Sequence, residues 1–375
     1  MQIIILAAGE GKRIRSLTKG CHKSLLPINS NDTFLSRMLH QLNEYEISKL
    51  VVVTGYASEE IEAVVSQFQM NTKIVYNTKY KEDTNIYSMK LALEQLNKNE
   101  TTIVIEADIY LDDLALKQIY FESKKNHSIW FTRGKFKEDQ YGGILSVNDN
   151  SEVQSIDIVD GYKDEYSEHF KLLGITTIGK NELSVFHELI NKYVNQTIKQ
   201  YYLIPWIENL HMLPCYGSDI KKDLVTSFNT ENEYHTFIGN LKKGKKYLSD
   251  YKLVDIDKLY PIEDFIAERK VIIQNKIIKD GYWIKPIIAD KENNLIMDGH
   301  HRFQAAKDMG FKRIPVIQVD YNDIIIWSLK DSEIVSKELV RKKALEYDIY
   351  PNKTVKHKFY FEVEECKISL KQLKE

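Results

Sequence analysis

The apolar positions fall into two rhythms that alternate along the first half of the chain. Residues 2–6, Q-I-I-I-L, form a run that is unbroken in its apolar character from Ile3 on, the pattern of a strand covered on both faces. Phe34, Met38, Leu42 and Tyr45 then recur at helical spacing within residues 33–45, and residues 50–54 (L-V-V-V-T) return to the buried-strand pattern. A helix over 59–68, a strand over 73–76, a helix over 86–96 and a strand over 102–106 continue the alternation. Strand following helix in this order predicts a doubly wound, Rossmann-like α/β domain with ligands at the carboxyl ends of its strands. Residues 128–133, 143–147 and 172–178 are further strands, with Tyr141-Gly-Gly143 a turn near them. At 242–246, K-K-G-K-K, the pattern stops, which marks a solvated connector and places domains at 1–241 and 247–375. Beyond it the elements are shorter: a strand over 251–256, a helix over 268–279 closed by Asp280-Gly281, a hairpin from 286–290 and 294–297, and a helix over 303–309. This predicts a smaller α+β domain.

Composition narrows the function classes. With 52 Lys and Arg against 54 Asp and Glu, the net charge of −2 excludes a general polyanion binder, so no nucleic-acid partner is expected. Cys21, Cys215 and Cys366 are far apart and form no C-x-x-C pair, so neither a disulfide framework nor a zinc cluster is indicated. No apolar run approaches a membrane span, and the chain enters its first strand without a leader-like segment. A cytoplasmic protein without a membrane partner is expected, and a homo-oligomer is left open.

The first strand feeds L-A-A-G-E-G-K-R at 6–13, with Lys23 ten residues on. Gly9 and Gly11 let backbone N–H groups close around a phosphate, with Arg13 and Lys23 adding charge. A P-loop is excluded because Leu6 and Arg13 stand where it needs Gly and Ser or Thr, and a dinucleotide fingerprint because Ile14 replaces its third glycine. Asp108 ends the strand I-V-I-E-A-D at 103–108, where a carboxylate can hold Mg²⁺ against entering phosphates; a strand-terminal Asp also serves as a turn or cap residue.

The loop, K-S-L-L-P at 23–27, Tyr80, N-I-Y-S at 85–88 and E-A-D-I-Y-L at 106–111 together resemble the nucleotidyltransferases, in their phosphocholine cytidylyltransferase branch, over residues 1–240. The resemblance implies Leu6, Ala7, Ala8, Gly9, Gly11 and Arg13 on the nucleotide, Lys23 on the α-phosphate and acceptor phosphate, and Asp108 on the metal. It also implies a substrate contact for Glu208, beside Trp206, and a second metal ligand at Asn229. The Trp–acid spacing is one residue longer than in that branch, and Asn229 offers an amide where a carboxylate is usual.

D-G-H-H-R at 298–302 packs two imidazoles, a guanidinium and a carboxylate at the entry to a helix. A zinc site is a poor fit, because adjacent histidines diverge and no H-E-x-x-H occurs. Asp298 as a helix cap, or the whole cluster as an oxyanion site, are the remaining readings. With P-x-E at 261–263, D-G-x-W-x-K-P-I at 280–287 and P-V-x-x-V-D-Y at 315–321, the stretch resembles the ParB-like clan, and within it the free-serine kinases. That resemblance takes in an aromatic-bearing strand around Trp327, a helix over 331–346 and a strand over 359–363. It implies Glu263 as the base for a serine hydroxyl, Asp298, Gly299, His300, His301 and Arg302 on nucleotide phosphates and metal, and Trp327 on the substrate side.

Together the resemblances imply a bifunctional, Mg²⁺-dependent enzyme using CTP, ATP or ADP, L-serine and O-phospho-L-serine, with CDP-L-serine and pyrophosphate as products. A sugar-1-phosphate transferase, or a ParB-like nucleotide-sensing or DNA-binding module behind a transferase for another acceptor, are the competing expectations.

Overall fold

The computed structural model describes residues 1–243 and 246–375, apart from the side chains of residues 222, 242, 243 and 246. The described residues divide into two compact units, Met1–Gly239 and Asn240–Glu375. Of the connector expected at 242–246, helix Glu231–Lys243 takes in the first two residues and a strand opens at Lys246, while 244 and 245 lie outside the described residues. No helix among the described residues is long and apolar enough to cross a membrane.

The strands of the first unit are β1 (Gln2–Ala7), β2 (Lys49–Thr54), β3 (Thr72–Tyr76), β4 (Thr102–Glu106), β5 (Ile109–Leu111), β6 (Ser128–Lys135), β7 (Gly142–Val147), β8 (Val153–Val159), β9 (Phe170–Ile178), β10 (Cys215–Asp219) and β11 (Val225–Ser227). The main sheet runs β10-β6-β9-β4-β1-β2-β3, with the β7–β8 hairpin attached to β9. All pairings along that path are parallel except those of β9, which runs antiparallel to both β4 and β6. β1 lies between β2 and β4, which is why its isoleucines are apolar on both faces: Ile3, Ile4 and Ile5 are wholly buried. On one face Ile4, Val51, Val53, Val104 and Trp130 pack against Met89, Phe186, Ile190 and Trp206 of the helices Ile86–Leu93, Leu183–Val194 and Ile204–Glu208. Trp130 meets Trp206 edge-on at 5.5 Å, so Trp206 is a core residue. Helix Phe34–Leu42 begins at a capping box in which Thr33 and Ser36 satisfy each other's backbone N–H, a device that stabilises a helix start by about 1 kcal/mol.

A small ladder decides where the site forms. β5 follows Asp108 directly and pairs antiparallel with β11, register Ile109 to Ser227, which carries Phe228 and Asn229 to the end of β4. At the other side of that point, Gly11 takes the left-handed conformation (φ +58) and turns the chain after β1.

The second unit holds β12 (Lys246–Leu248), β13 (Lys252–Asp255), β14 (Tyr260–Pro261), β15 (Tyr282–Trp283), β16 (Ile287–Asp290), β17 (Leu295–Asp298), β18 (Arg313–Val319), β19 (Ile325–Ser328), β20 (Val355–Lys358), β21 (Phe361–Val363) and β22 (Ile368–Ser369). Five of them form a mixed sheet in the order β13-β18-β16-β17-β14. Helix Ala267–Asp280 ends at Gly281 (φ +71), as its sequence predicts. The β16–β17 turn is organised by buried Asp290, whose two carboxylate oxygens accept the N–H groups of Leu295 (2.6 Å), Asn293 (3.0 Å) and Glu292 (3.2 Å).

In the second unit three elements differ most from the sequence expectation. The helix expected from 303 starts three residues earlier, as His300–Asp308, and its N-cap is Gly299 (φ +106) with no side-chain cap; Asp298 pairs with Arg302 instead of capping. The helix expected from 331 begins only at Lys337, where Ser336 accepts the N–H of Leu339 at 3.1 Å. The strand expected over 359–363 is β21, which starts only at Phe361, and a further strand, β20, precedes it and pairs with β19 so that Trp327 opposes Lys356.

Candidate active sites

In the first unit a cavity of about 410 Å³ opens at the carboxyl ends of β1 and β4. Leu6, Ala8, Gly9, Gly11, Arg13, Lys23, Asp108 and Asn229 all line it, so the glycine loop and both expected metal ligands share one space. A Cβ on Gly9 would meet nothing within 4 Å, so the missing side chain leaves backbone open to the cavity. Lys23 Nζ donates to Asp108 Oδ2 at 2.5 Å and lies 4.5 Å above the Phe228 ring. Arg13 is a fork across the entrance: Nη2 donates to Asn229 Oδ1 and Nη1 to the Tyr141 hydroxyl, each at 2.8 Å. Lys23 is paired with a carboxylate and Arg13 with neutral groups, and an ammonium and a guanidinium are the side chains that bind phosphate oxyanions.

Two residues that the sequence left unremarked shape this site. Buried His22 holds the lysine turn: its Nδ1 accepts the N–H of Ser24 at 3.1 Å and lies 2.8 Å from the Ser24 hydroxyl, and its ring lines the cavity with Gly9. Burial, against the pull of Asp108, holds its imidazole down at about 4, so it is neutral and serves as a fixed acceptor. Half-buried Glu106 leans over Gly174, where any Cβ would stand 2.4 Å from Oε2. Burial first and then the charge of Asp108 push its carboxyl up to about 7, against Lys23 and Lys171. The signal for both was present as a polar residue beside a motif, H-K-S and E-A-D, but a motif does not tell which polar neighbour is buried.

The structure does not bring Glu208 to the cavity. Its Oε2 accepts the Tyr193 hydroxyl at 2.6 Å, while the Trp206 indole donates to the Leu213 carbonyl at 3.0 Å inside the core. The Trp–acid pair is scaffold here, a correction to the substrate contact expected from its resemblance. Among the described residues no group of three His, Cys, Asp or Glu side chains is poised to share a metal. A cation held by Asp108 and Asn229 would take its other ligands from phosphate and water, the mode that suits Mg²⁺.

In the second unit Glu263 and the D-G-H-H-R motif converge. Glu263 Oε2 accepts the N–H groups of Thr354 and Val355, both at 3.0 Å, so its carboxylate is fixed at the start of β20. The segment around it is pinned to helix His300–Asp308: His300 Nε2 accepts the N–H of Ile262 at 3.3 Å and His301 Nε2 that of Ile266 at 3.1 Å. The Nε2 atoms therefore act as acceptors from backbone, not as the oxyanion donors expected of them. Burial holds His300 down at about 4, and burial followed by the charge of Arg269 lowers His301. Asp298 Oδ2 accepts from Arg302 Nη2 at 2.9 Å; burial raises the carboxyl, but Arg302, Lys285 and His300 outweigh it and hold it below its usual range. Gly299 is required by close approach, since a Cβ would stand 2.9 Å from Arg302 Nη2 and 3.0 Å from Ile287 Cγ1. Trp327 is buried on β19, and Leu329 on the same segment donates its N–H to the Thr354 carbonyl, the residue that caps Glu263.

Comparison with known proteins finds two sets of relatives. Residues 2–157 match the nucleotidyl transferase family model. A choline-phosphate cytidylyltransferase of Haemophilus influenzae is 30% identical over 251 residues, 66% of this chain and 100% of that protein. The solved CTP:phosphocholine cytidylyltransferase of Streptococcus pneumoniae shares the fold, with a TM-score of 0.54 at 24% identity over 64% of this chain and 98% of that one. In the C-terminal region, an ATP-dependent L-serine kinase of Staphylothermus marinus is 39% identical over 75 residues, 19% of this chain and 30% of that protein, so the match spans under a third of the kinase. The chain belongs, through its first unit, to the nucleotidyl transferase family of the choline-phosphate cytidylyltransferases, and it carries beyond that a second unit similar in part to L-serine kinases.

Proposed function

We propose that the chain converts L-serine to CDP-L-serine in two steps. In the second unit Glu263 takes the proton of the serine hydroxyl as its oxygen attacks the terminal phosphorus of ATP or ADP, giving O-phospho-L-serine and the nucleotide shortened by one phosphate. Two backbone N–H groups hold the Glu263 carboxylate in place for this. Arg302 and the N–H groups at the start of helix His300–Asp308 face the donor's phosphates.

In the first unit a phosphate oxygen of phosphoserine attacks the α-phosphorus of CTP, and pyrophosphate leaves. Lys23 binds the α-phosphate and the incoming phosphate, Arg13 the β- and γ-phosphates, and the backbone from Leu6 to Gly11 wraps the chain of phosphates. Mg²⁺, held by Asp108 and Asn229, supplies further charge neutralisation when bound. No covalent intermediate on the protein is needed.

The observation that carries the joined reading is the similarity of one unit to a cytidylyltransferase of a small phosphomonoester and of the other to kinases whose product is a small phosphomonoester. The test supplies the intact protein with serine, ATP or ADP, CTP and Mg²⁺, and follows products by mass spectrometry. CDP-serine is expected. Glu263→Gln should block it from serine but not from added phosphoserine, and Lys23→Ala should let phosphoserine accumulate. If phosphoserine is not cytidylylated while phosphocholine, a phosphonate or a sugar 1-phosphate is, the joined pathway is wrong.

A further inference from the structure

A pair of cations lies behind the lining of the first cavity, where Glu106, which does line it, feels the charge of one of them, and neither cation has a role in the reaction as derived so far. Lys171 is on β9 and Arg133 on β6, its antiparallel neighbour; Thr132 pairs with Leu172, which puts Lys171 and Arg133 on adjacent strands on the face away from Leu172. Lys171 is only 9% exposed, and its Nζ donates to the Gly143 carbonyl at 2.9 Å. Gly142 (φ +91) leaves room beside that ammonium, since a Cβ would stand 3.3 Å from Nζ. Among the described residues Arg133 reaches the Ser227 hydroxyl, at 3.5 Å, and its buried Nε has no hydrogen-bond partner. Among the described residues neither cation has an ion-pair partner within 4 Å, and the charges of Glu106 on Lys171 and of Glu233 and Asp139 on Arg133 act from farther off.

The neighbours locate the pair. Gly142 follows Tyr141 and Ser227 precedes Asn229 by two residues, and Tyr141 and Asn229 are the two groups that Arg13 holds at the cavity entrance. The pair thus lies next to the point where Arg13, Asn229 and Asp108 gather the phosphates. Two cations so near each other with an orphaned N–H are unfavourable alone and become favourable around an anion. Burial, then the charge of Arg133, pushes the Lys171 ammonium down to about 8, against the opposite pull of Glu106. The phosphates have Lys23, Arg13 and the glycine loop. The anion left over is one on the acceptor beyond its phosphate, and a planar carboxylate suits the guanidinium fork.

We propose that Arg133 and Lys171 bind the α-carboxylate of the acceptor, so that the transferase selects an amino-acid phosphate over the same compound lacking the carboxylate. The proposal rests on the cytidylyltransferase reading of the first unit. Its test measures kcat/KM for pyrophosphate release by the intact protein, with CTP and Mg²⁺, on O-phospho-L-serine and on O-phosphoethanolamine. The two share phosphate and amine and differ in the carboxylate.

The wild-type protein should favour phosphoserine by about 100-fold or more, because a site with buried donors rejects the analogue that leaves them unpaired. Arg133→Gln and Lys171→Met should each reduce that preference by about 10- to 100-fold, chiefly through KM for phosphoserine, and Arg133→Lys should restore part of it. Calorimetric binding of CTP to each variant reports whether the unit is still folded. Equal losses on both acceptors, or loss of CTP binding in all three variants, would mean that the pair serves the shared phosphate or the fold, and the assignment fails. A wild-type protein that turns over phosphoethanolamine as well as phosphoserine overturns the carboxylate site while leaving the transferase reading intact. No pyrophosphate from either acceptor, with CTP bound, overturns the phosphoserine transferase reading and the carboxylate site with it.

Discussion

Replacing Lys23 by Met tests the centre of the first site. The change keeps the length of a side chain that is 8% exposed and removes its charge from a position 2.5 Å from Asp108. Loss of one preorganised donor at a developing charge costs about 10²- to 10³-fold in rate. A second effect adds to it. Lys23 opposes the upward push that burial and Asp108 exert on Glu106, so without it the two acids face each other with less compensation and the phosphates meet a more negative wall. We expect a total loss of about 10³-fold or more, about 4 kcal/mol at 1.4 kcal/mol per decade. Asp108→Asn should cost a similar amount. Because the two side chains act as one unit, Lys23→Met with Asp108→Asn should cost little more than either alone. Pyrophosphate release from CTP, with the acceptor the wild type uses best, gives the rates. Circular dichroism melting separates chemistry from folding, and since Asp108 retains 29% exposure and can hydrate, the melting temperature should move by only a few degrees. Rates within tenfold of wild type in both single variants would refute the reasoning, and multiplicative losses in the double variant would refute the claim that the pair is one unit.

Two further outcomes follow from burial. Glu208→Gln should change kcat/KM for the transferase by less than about threefold, because the carboxylate holds Tyr193 and does not line the cavity; a loss above about 30-fold would return it to the substrate site. His357, buried against Phe359 and Tyr321, is pushed by burial and then by His300 down to about 3. It is neutral when folded and protonates on unfolding below about 6.5, so its contribution is intact above that pH and is lost as pH falls toward 3, about 2 kcal/mol of it by pH 5. Thermal unfolding of the intact protein at pH 7.5 and 5.0 should show the drop, and His357→Gln should flatten it; an unchanged slope in the variant removes His357 from the account.

What the sequence revealed and what it concealed have separable physical causes. β1, the glycine turn, Lys23 and Asp108 were legible because a strand buried on both faces leaves an unbroken apolar run, and its carboxyl end is where α/β folds bind ligands. Asn229 was reachable only through resemblance, because its approach depends on the β5–β11 ladder, a pairing across more than a hundred residues that no local pattern encodes. Arg133 ends the strand expected over 128–133 and Lys171 falls just before the one expected over 172–178; the sheet register shows that they share a face. The Trp206–Glu208 pair misled for the opposite reason, since an aromatic residue beside an acid reads the same whether it lines a pocket or, as here, fills the core. In the second unit Asp298 resembled a cap because Asp is a good one, yet Gly299 takes the positive φ that starts the helix and frees the carboxylate for Arg302.

The two sites share a device that also separates positioning from acid–base chemistry. In each, a buried imidazole held at about 4 accepts a backbone N–H next to a candidate catalytic residue: Ser24 after Lys23, and Ile262 before Glu263. The lone pair that a general base would need is already occupied, and a protonated ring could not accept the bond at all. Both imidazoles are therefore positioning groups, and neutrality is what makes them so. Between pH 6 and 9 they do not titrate, so neither the transferase nor the kinase rate should show an ascending limb near 6.5 that belongs to them. His22→Ala should lower transferase kcat by about 10- to 100-fold by loosening the Lys23 turn, with the shape of the pH profile unchanged, and His300→Ala should do the same to phosphorylation of serine. His22→Asn, which keeps an acceptor, should recover part of the loss. A limb near 6.5 that disappears in either alanine variant would show proton transfer by the imidazole itself, and the positioning role would be wrong for that site.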